Sequence, residues 1–216
     1  MNGATVLLLR HGEIEQAQPR RFVGQRDLPL TERGREQARA WSPVLAKLPL
    51  AGAWCSDLSR CRETAELALA KSGVSATPLP GLREISLGRW EGLTTDEVRQ
   101  RFCGEFERRG ANLAQVAPAG GESFSQAQDR VWTALTGILT GRTGMLLVVA
   151  HAGVNRAILC RILGVPLNNL FQLGQDYCTM NILEFPLHAP ARLVSLNLPV
   201  NGASGGLECM DMNVEA

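Results

Sequence analysis

The chain has 216 residues, 45% of them hydrophobic and 20% charged, and a formal net charge of +1. That length suffices for one sizeable core, and the composition is ordinary for a soluble globular protein. The small net charge excludes bulk attraction to nucleic acid or an anionic membrane, so any electrostatic role must be local.

The first residues lack the basic, apolar and small-residue succession of a secretory signal. The longest apolar runs are strand-length, too short to cross a bilayer. Six cysteines (Cys55, Cys61, Cys103, Cys160, Cys178 and Cys209) are scattered without a C-x-x-C pair, which fits reduced thiols in a cytoplasm. Three histidines with no close Cys/His spacing argue against a structural zinc site.

Thr5 to Leu9 reads as a buried strand that ends abruptly on Arg10, His11 and Gly12. A polar, arginine-bearing loop follows from Glu15 to Pro29. Thr31 then N-caps a helix through Ala38, Trp41 and Leu45, irregular near Pro43, with Glu32 in its first turn. A short strand at Ala53–Ser56 comes next, then a helix capped by Asp57 or Ser59 whose small residues face a close neighbour. Strand-like Ala76–Leu79 precedes Leu82–Ile85 and a glycine-bounded turn, Gly88-Arg89-Trp90-Glu91-Gly92. Thr94 or Thr95 opens a helix through Val98 and Phe102.

The segment from Gly104 to Gly121 is polar and arginine-rich, part helix and part excursion. Ser123 caps a helix with Val131, Leu135 and Ile138 at helical spacing. Met145–Ala150 is a second buried strand, ending on His151, with helices from Val154 to Leu163 and after Pro166. Strands at Cys178–Phe185 and Arg192–Leu198 close the order. The expected organisation is one domain over 1–198 and a loosely held tail over 199–216. Alternating strands and helices predict an α/β domain with a mostly parallel sheet and an antiparallel late strand.

Two buried strands therefore each deliver a histidine at a carboxyl end, with a glycine close behind. In open α/β sheets such ends form the ligand crevice. His151 also precedes a helix, whose free N–H groups attract anions. Arg60, at the start of the helix after the second strand, can reach the same crevice, and its planar fork matches phosphate oxygens.

With these residues the chain resembles the histidine phosphatase superfamily, in its phosphoglycerate-mutase-like branch. The resemblance is carried by Leu9–Glu13, Leu30–Ala38, Cys55–Ala65, Leu82–Gly92, Gly120–Ser123 and His151–Val154, in the family's order. It implies a three-layer phosphoglycerate-mutase-like fold, with a mostly parallel central sheet flanked by helices. It also implies a metal-independent phosphomonoesterase, without cofactor, that hydrolyses a small phosphorylated metabolite. His11 would be the nucleophile, Arg10, Arg60 and His151 would hold phosphoryl oxygens, and Glu84 would be the general acid, its pKa raised. A bound phosphate would favour protonated His151, and Glu91 would be structural.

Arg20, Arg21 and Gly24 are candidates for a substrate rim. Arg26, Arg108 and Arg109 could add anion contacts and read as a solvated rim. Two positions depart from the family: Ala17 stands where asparagine is frequent, flanked by Gln16 and Gln18, and Val23 stands where threonine is frequent. The Trp90-Glu91-Gly92 and Gly120–Ser123 turns are most similar to α-ribazole phosphatases of cobalamin synthesis. That makes α-ribazole 5′-phosphate a candidate substrate. The alternatives are a cofactor-dependent phosphoglycerate mutase and a non-catalytic phosphate-sensing protein. No nucleic acid or membrane partner is expected, and the oligomeric state stays open, a homodimer included.

Overall fold

The structure is a computed structural model that describes residues 3–203. Its centre is a six-stranded sheet in the order β3-β2-β4-β1-β5-β6. β1 (Ala4–Arg10), β2 (Leu50–Cys55), β3 (Ala76–Pro78) and β4 (Gly144–Ala150) run parallel, whereas β5 (Met180–Phe185) and β6 (Arg192–Leu198) form an antiparallel edge. The mostly parallel α/β layout expected from the sequence is the one found: of the two late strands, β5 runs against the others and β6, antiparallel to β5, runs with them.

Strand periodicity sorts the core into two layers. Leu7 and Leu9 of β1, with Leu147 and Val149 of β4, pack against α1 (Glu32–Leu45) and α2 (Ser59–Leu69) through Trp41, Leu45, Ala65 and Ala68. The alternate residues Val6, Leu8, Leu146 and Val148 face α5 (Phe124–Leu139) and α6 (Ala152–Leu163) through Val131, Leu135, Val154 and Ile158. The helix after β1 and the helix after β4 thus lie on opposite faces. This makes the gap between the carboxyl ends of β1 and β4 a switch point of the topology, where a crevice must open.

Several local expectations change. Pro43 is accommodated inside the last turn of α1, and Thr31 caps that helix through a bond from the Gly34 N–H. Neither Asp57 nor Ser59 caps α2, whose N-cap is Leu58. Asp57 is drawn instead into a forked ion pair with Arg83. Cys178 is not in β5, because its φ of 52° lies in the left-handed region and breaks the extended run. The Gly104–Gly121 segment holds α4 (Glu105–Ala111), which follows α3 (Thr95–Arg101). Of the predicted tail, Val200–Gly202 forms a 3-10 turn and Ala203 is buried in the α1 layer, while 204–216 lies outside the described residues.

The segment after β1 is seated by backbone contact with the first turn of α1. A Cβ on Gly34 would run into the backbone of Glu13, whose carbonyl accepts from the Thr31 N–H at 2.9 Å. Alanine in place of a helical glycine ordinarily stabilises by about 1 kcal/mol. Here the overlap reverses the sign, and Gly34→Ala is expected to lower stability by about 1–3 kcal/mol. Urea denaturation of the variant checks this, and a midpoint equal to or above that of the parent chain would refute it.

Candidate active site

Parallel pairing places Arg10 opposite Ala150, and the His11 N–H donates to the Ala150 carbonyl at 3.0 Å. The two histidines are therefore side by side, ring centroids 5.1 Å apart and inclined at 63°. Both rings are buried.

Their hydrogen bonds fix complementary tautomers. His11 Nδ1 lies 2.7 Å from the Gly12 carbonyl, which can only accept, so Nδ1 carries the hydrogen and Nε2 keeps its lone pair. His151 Nδ1 receives the Arg60 Nε–H at 3.2 Å, so its hydrogen sits on Nε2. Burial holds His11 well below the ordinary histidine pKa, and the Arg10 and Arg60 cations add to the effect. Burial, then Arg60, His11, Arg10 and Arg130, does the same to His151. One neutral ring offers a lone pair and the other a donor.

Arg60 is 1% exposed. Besides His151 it serves the loop between β1 and α1: Nη1 donates to the Arg26 carbonyl at 2.8 Å and Nη2 to the Gly24 carbonyl at 2.9 Å. The loop answers through Asp27, whose Oδ1 accepts from the Ser59 N–H at 2.8 Å and from its hydroxyl at 2.7 Å. The capping carboxylate of α2 thus comes from this loop, and the same clasp sets Arg60 in the crevice. The remaining N–H of each Nη is left for a ligand.

Glu84 reaches the N-terminus of α6. Its carboxyl oxygens accept from the Gly153 N–H at 3.1 Å and the Val154 N–H at 3.2 Å, besides its neighbour Ile85 at 2.9 Å. A Cβ on Gly153 would stand 2.5 Å from Glu84 Oε1, so a glycine there is what lets the carboxyl approach. The helix terminus that the sequence reading offered to an external anion holds this side chain. Glu91 binds the Gln25 and Leu87 N–H groups at 3.0 Å each, which ties the Trp90 turn to the loop in a structural role.

Arg10, His11, Arg60, Glu84 and Gly153 line one hollow of about 320 Å³, together with Gln16, Arg20, Arg21, Gly24, Arg109, Phe124, Arg156, Phe171 and Tyr177. His151 is wholly buried and is not among the lining residues; its ring adjoins His11, and Cys61 Sγ lies 3.4 Å from its Nε2. A larger hollow of about 490 Å³ beside α2 and β3 contains none of these residues. Chemistry, not volume, decides between the two.

The rim candidates separate. Arg21 borders the hollow, but its guanidinium is engaged by the Gly92 carbonyl and Glu97, each at 2.8 Å. Gly24 contributes its carbonyl to Arg60. Arg20, Arg26 and Arg108 are exposed. Arg109 is not solvated, contrary to expectation: it is 8% exposed, with Nε and Nη2 buried and unpartnered among the described residues. Its guanidinium carbon lies 5.7 Å from the Trp90 ring and 5.3 Å from Phe124, and burial lowers its pKa. The turn of α4 carries it inward.

Tyr177, Gln175 and Arg156 were missed. Arg10 donates through Nη1 to the Gln175 carbonyl at 2.5 Å and lies 3.8 Å over the Tyr177 ring. Two signals were readable: Tyr177 is the chain's one tyrosine, and Asn181 interrupts an otherwise apolar strand.

A family model described as the histidine phosphatase superfamily (branch 1) matches residues 6–198. The chain belongs to the histidine phosphatase superfamily. It is 35% identical over 182 residues to glucosyl-3-phosphoglycerate phosphatase of Mycolicibacterium vanbaalenii, covering 78% of each chain. It is 30% identical over 181 residues to phosphoserine phosphatase 1 of Hydrogenobacter thermophilus, covering 83% of this chain and 85% of that one. The solved structure of a putative α-ribazole-5′-P phosphatase from Escherichia coli superposes with a TM-score of 0.82 at 26% identity, covering 91% of this chain and 97% of that one. Against three mycobacterial relatives at 33% identity, the chain spans 50% of their length. This histidine phosphatase is accordingly a phosphatase-type hydrolase. Among its described residues no helix is long and apolar enough to cross a membrane.

The two depressed imidazoles make a pH prediction. An unfolded histidine takes up a proton below about pH 6.5, whereas the folded site refuses it. Their contribution to stability is complete above that pH and is lost as pH falls below it. The Asp57 carboxylate, held low by Arg83, titrates in a more acidic range. Denaturation free energy in phosphate-free buffer is expected to decline between about pH 6.5 and 5. That decline should be flattened in the His11→Asn/His151→Asn double variant, and an identical slope in both proteins would count against it.

Proposed function

We propose that this protein is a metal-independent phosphomonoesterase that works through a phosphohistidine at His11 Nε2. The observation that carries the reading is the pair of opposite tautomers, a lone pair on His11 beside an N–H donor on His151. Arg10, the free N–H groups of Arg60 and the His151 Nε2–H bind the equatorial phosphoryl oxygens. His11 Nε2 forms the P–N bond as the P–O bond to the leaving group breaks, and Glu84 in its acid form protonates the departing alkoxide. Glu84 then takes a proton from water, which attacks phosphorus and releases His11. Positioning and positive charge supply most of the catalysis in such a transfer.

Brief mixing with substrate and a trap for acid-labile phosphate should label the parent protein and leave His11→Ala unlabelled. Label retained in the variant would place the nucleophile elsewhere. A chelator is expected to leave the rate unchanged, and release of inorganic phosphate without transfer between hydroxyls separates hydrolysis from mutase activity.

The favoured substrate is a small phosphomonoester whose leaving group bears a second anion. Arg109 supports this, because a buried cation with unpartnered N–H groups is costly unless a ligand completes it. Phosphoserine and glucosyl-3-phosphoglycerate, which name the substrates of two relatives, both carry a carboxylate. The aromatic walls Phe124 and Phe171, the latter 62% exposed, favour α-ribazole 5′-phosphate as the second reading. In a phosphomonoester panel, Arg109→Ala should raise KM about 10- to 100-fold for carboxylate-bearing substrates and leave the others near parent values. An equal effect on all of them would remove Arg109 from leaving-group recognition. Interior thiols at Cys55, Cys61, Cys160 and Cys178 support a reducing, cytoplasmic setting.

A further inference from the structure

Because β5 is antiparallel to β1, the segment that leads into β5 arrives at the carboxyl end of β1, beside the nucleophile. The Arg10 N–H donates to the Thr179 carbonyl at 3.0 Å and the Cys178 N–H to the His11 carbonyl at 3.2 Å. Left-handed Cys178 then turns the preceding residue over the crevice.

That segment is fixed from behind by a buried amide network. Gln175 is 4% exposed, donates to Asn181 Oδ1 at 2.8 Å, and accepts from Asn181 at 2.9 Å and Asn155 at 3.2 Å. Asn181 reaches the Leu8 carbonyl at 3.2 Å, and Asn197 Oδ1 accepts from the Asp176 N–H at 2.7 Å. The orientation of Tyr177 is therefore set by the fold. At its outer edge, Gln16 Nε2 donates to the phenol oxygen at 3.1 Å.

Arg10 meets this assembly on two sides. Its Nη1 edge is used by the Gln175 carbonyl, and its face lies against the tyrosine ring, which is also 5.6 Å from the His11 ring. Nε is buried and has no partner among the described residues. The Nε–Nη2 edge is the bidentate edge that remains for two phosphoryl oxygens.

We propose that Tyr177 is a positioning residue of the phosphate pocket: its ring, locked by Gln16 and the Gln175 network, holds the Arg10 guanidinium in the plane that presents its Nε–Nη2 edge to the phosphoryl group. A flexible arginine would lose rotamer freedom at each binding event, and stacking removes that cost in advance. The aromatic face is what matters, because the phenol oxygen points to Gln16 rather than to Arg10. The inference rests on the phosphate-binding part of the proposed function and not on turnover.

The test is calorimetric titration of the full chain with inorganic phosphate, which has no leaving group. Tyr177→Phe keeps the face and is expected to bind within about threefold of the parent, whereas Tyr177→Leu and Tyr177→Met should bind about tenfold more weakly at an unchanged melting temperature. In an Arg10→Lys background, Tyr177→Leu should add no further loss. Parent-like binding by both non-aromatic variants, a Phe variant as weak as Leu, or a full additional loss in the Arg10→Lys background would each overturn the proposal. Tyr177 is half-buried, so these variants should fold, and Met stands in if Leu does not. A parent chain that binds phosphate but hydrolyses no ester refutes the phosphatase reading and leaves this test intact; a parent chain that binds none refutes both.

Discussion

The parallel pairing of β1 with β4 is the constraint on which the site depends. Arg10 opposite Ala150 puts His11 and His151 one residue beyond two adjacent strand ends, and their backbones are bonded at that point. A register slip of one residue would turn one histidine to the other face of the sheet. The register is held by Leu7, Leu9, Leu147 and Val149 on one face and by Val6, Leu8, Leu146 and Val148 on the other, all buried. Core packing and catalytic geometry are thus one specification. The switch-point topology adds only that α1 and α6 leave on opposite sides, so neither of them covers the gap.

A second constraint is electrostatic. Arg10 and Arg60 share a buried crevice with two imidazoles, and their partners there are uncharged: the Gln175 carbonyl for Arg10, and the Gly24 and Arg26 carbonyls and His151 for Arg60. A carbonyl satisfies an N–H group without cancelling its charge. Ion pairs would have neutralised the field that a phosphoryl dianion needs. Among the described residues Glu84 is the one acidic side chain lining the hollow, and its carboxyl is engaged by the N-terminus of α6. Burial, with the same field, keeps both histidines neutral, as the proposed nucleophile His11 requires.

How much of this the sequence disclosed depended on the range of the interaction. Arg10, His11 and His151 were legible because their signal is local: an apolar run that stops on a polar residue next to glycine. Arg60 was legible from its place at a helix start. The clasp that sets it was not, since the bond from Ser59 to Asp27 spans 32 positions and neither residue is unusual alone. Arg109 was read as a solvated rim because it lies in a polar, glycine-broken segment. Burial there comes from Trp90 and Phe124, which only the tertiary fold brings near. Tyr177 and Gln175 lie in a loop whose place follows from β5 being antiparallel, and strand polarity of that kind has no local signature. The departures at Ala17 and Val23 pointed to a missing polar contact. In the structure Ala17 is exposed, and the neighbouring amide of Gln16 is directed to Tyr177.

These differences in legibility follow a division of labour within the hollow. The groups assigned to the phosphoryl centre sit on strand ends and helix starts, where displacement would disturb the core: Arg10 at the end of β1 and His11 just after it, Arg60 at α2, His151 before α6. The residues proposed for the leaving-group side come from the α3–α4 excursion and the 3-10 segment at Leu167–Gln172, which supply Arg109 and Phe171. Those segments are short helices pinned by local caps, such as the Thr94–Glu97 capping box, and by the small apolar cluster of Ile85, Leu113, Phe124 and Leu170. They can change without shifting the β1–β4 register. A common phosphoryl centre beneath a separately supported rim lets one fold serve different leaving groups, and in this chain the rim's distinguishing feature is a buried arginine with N–H groups to spare.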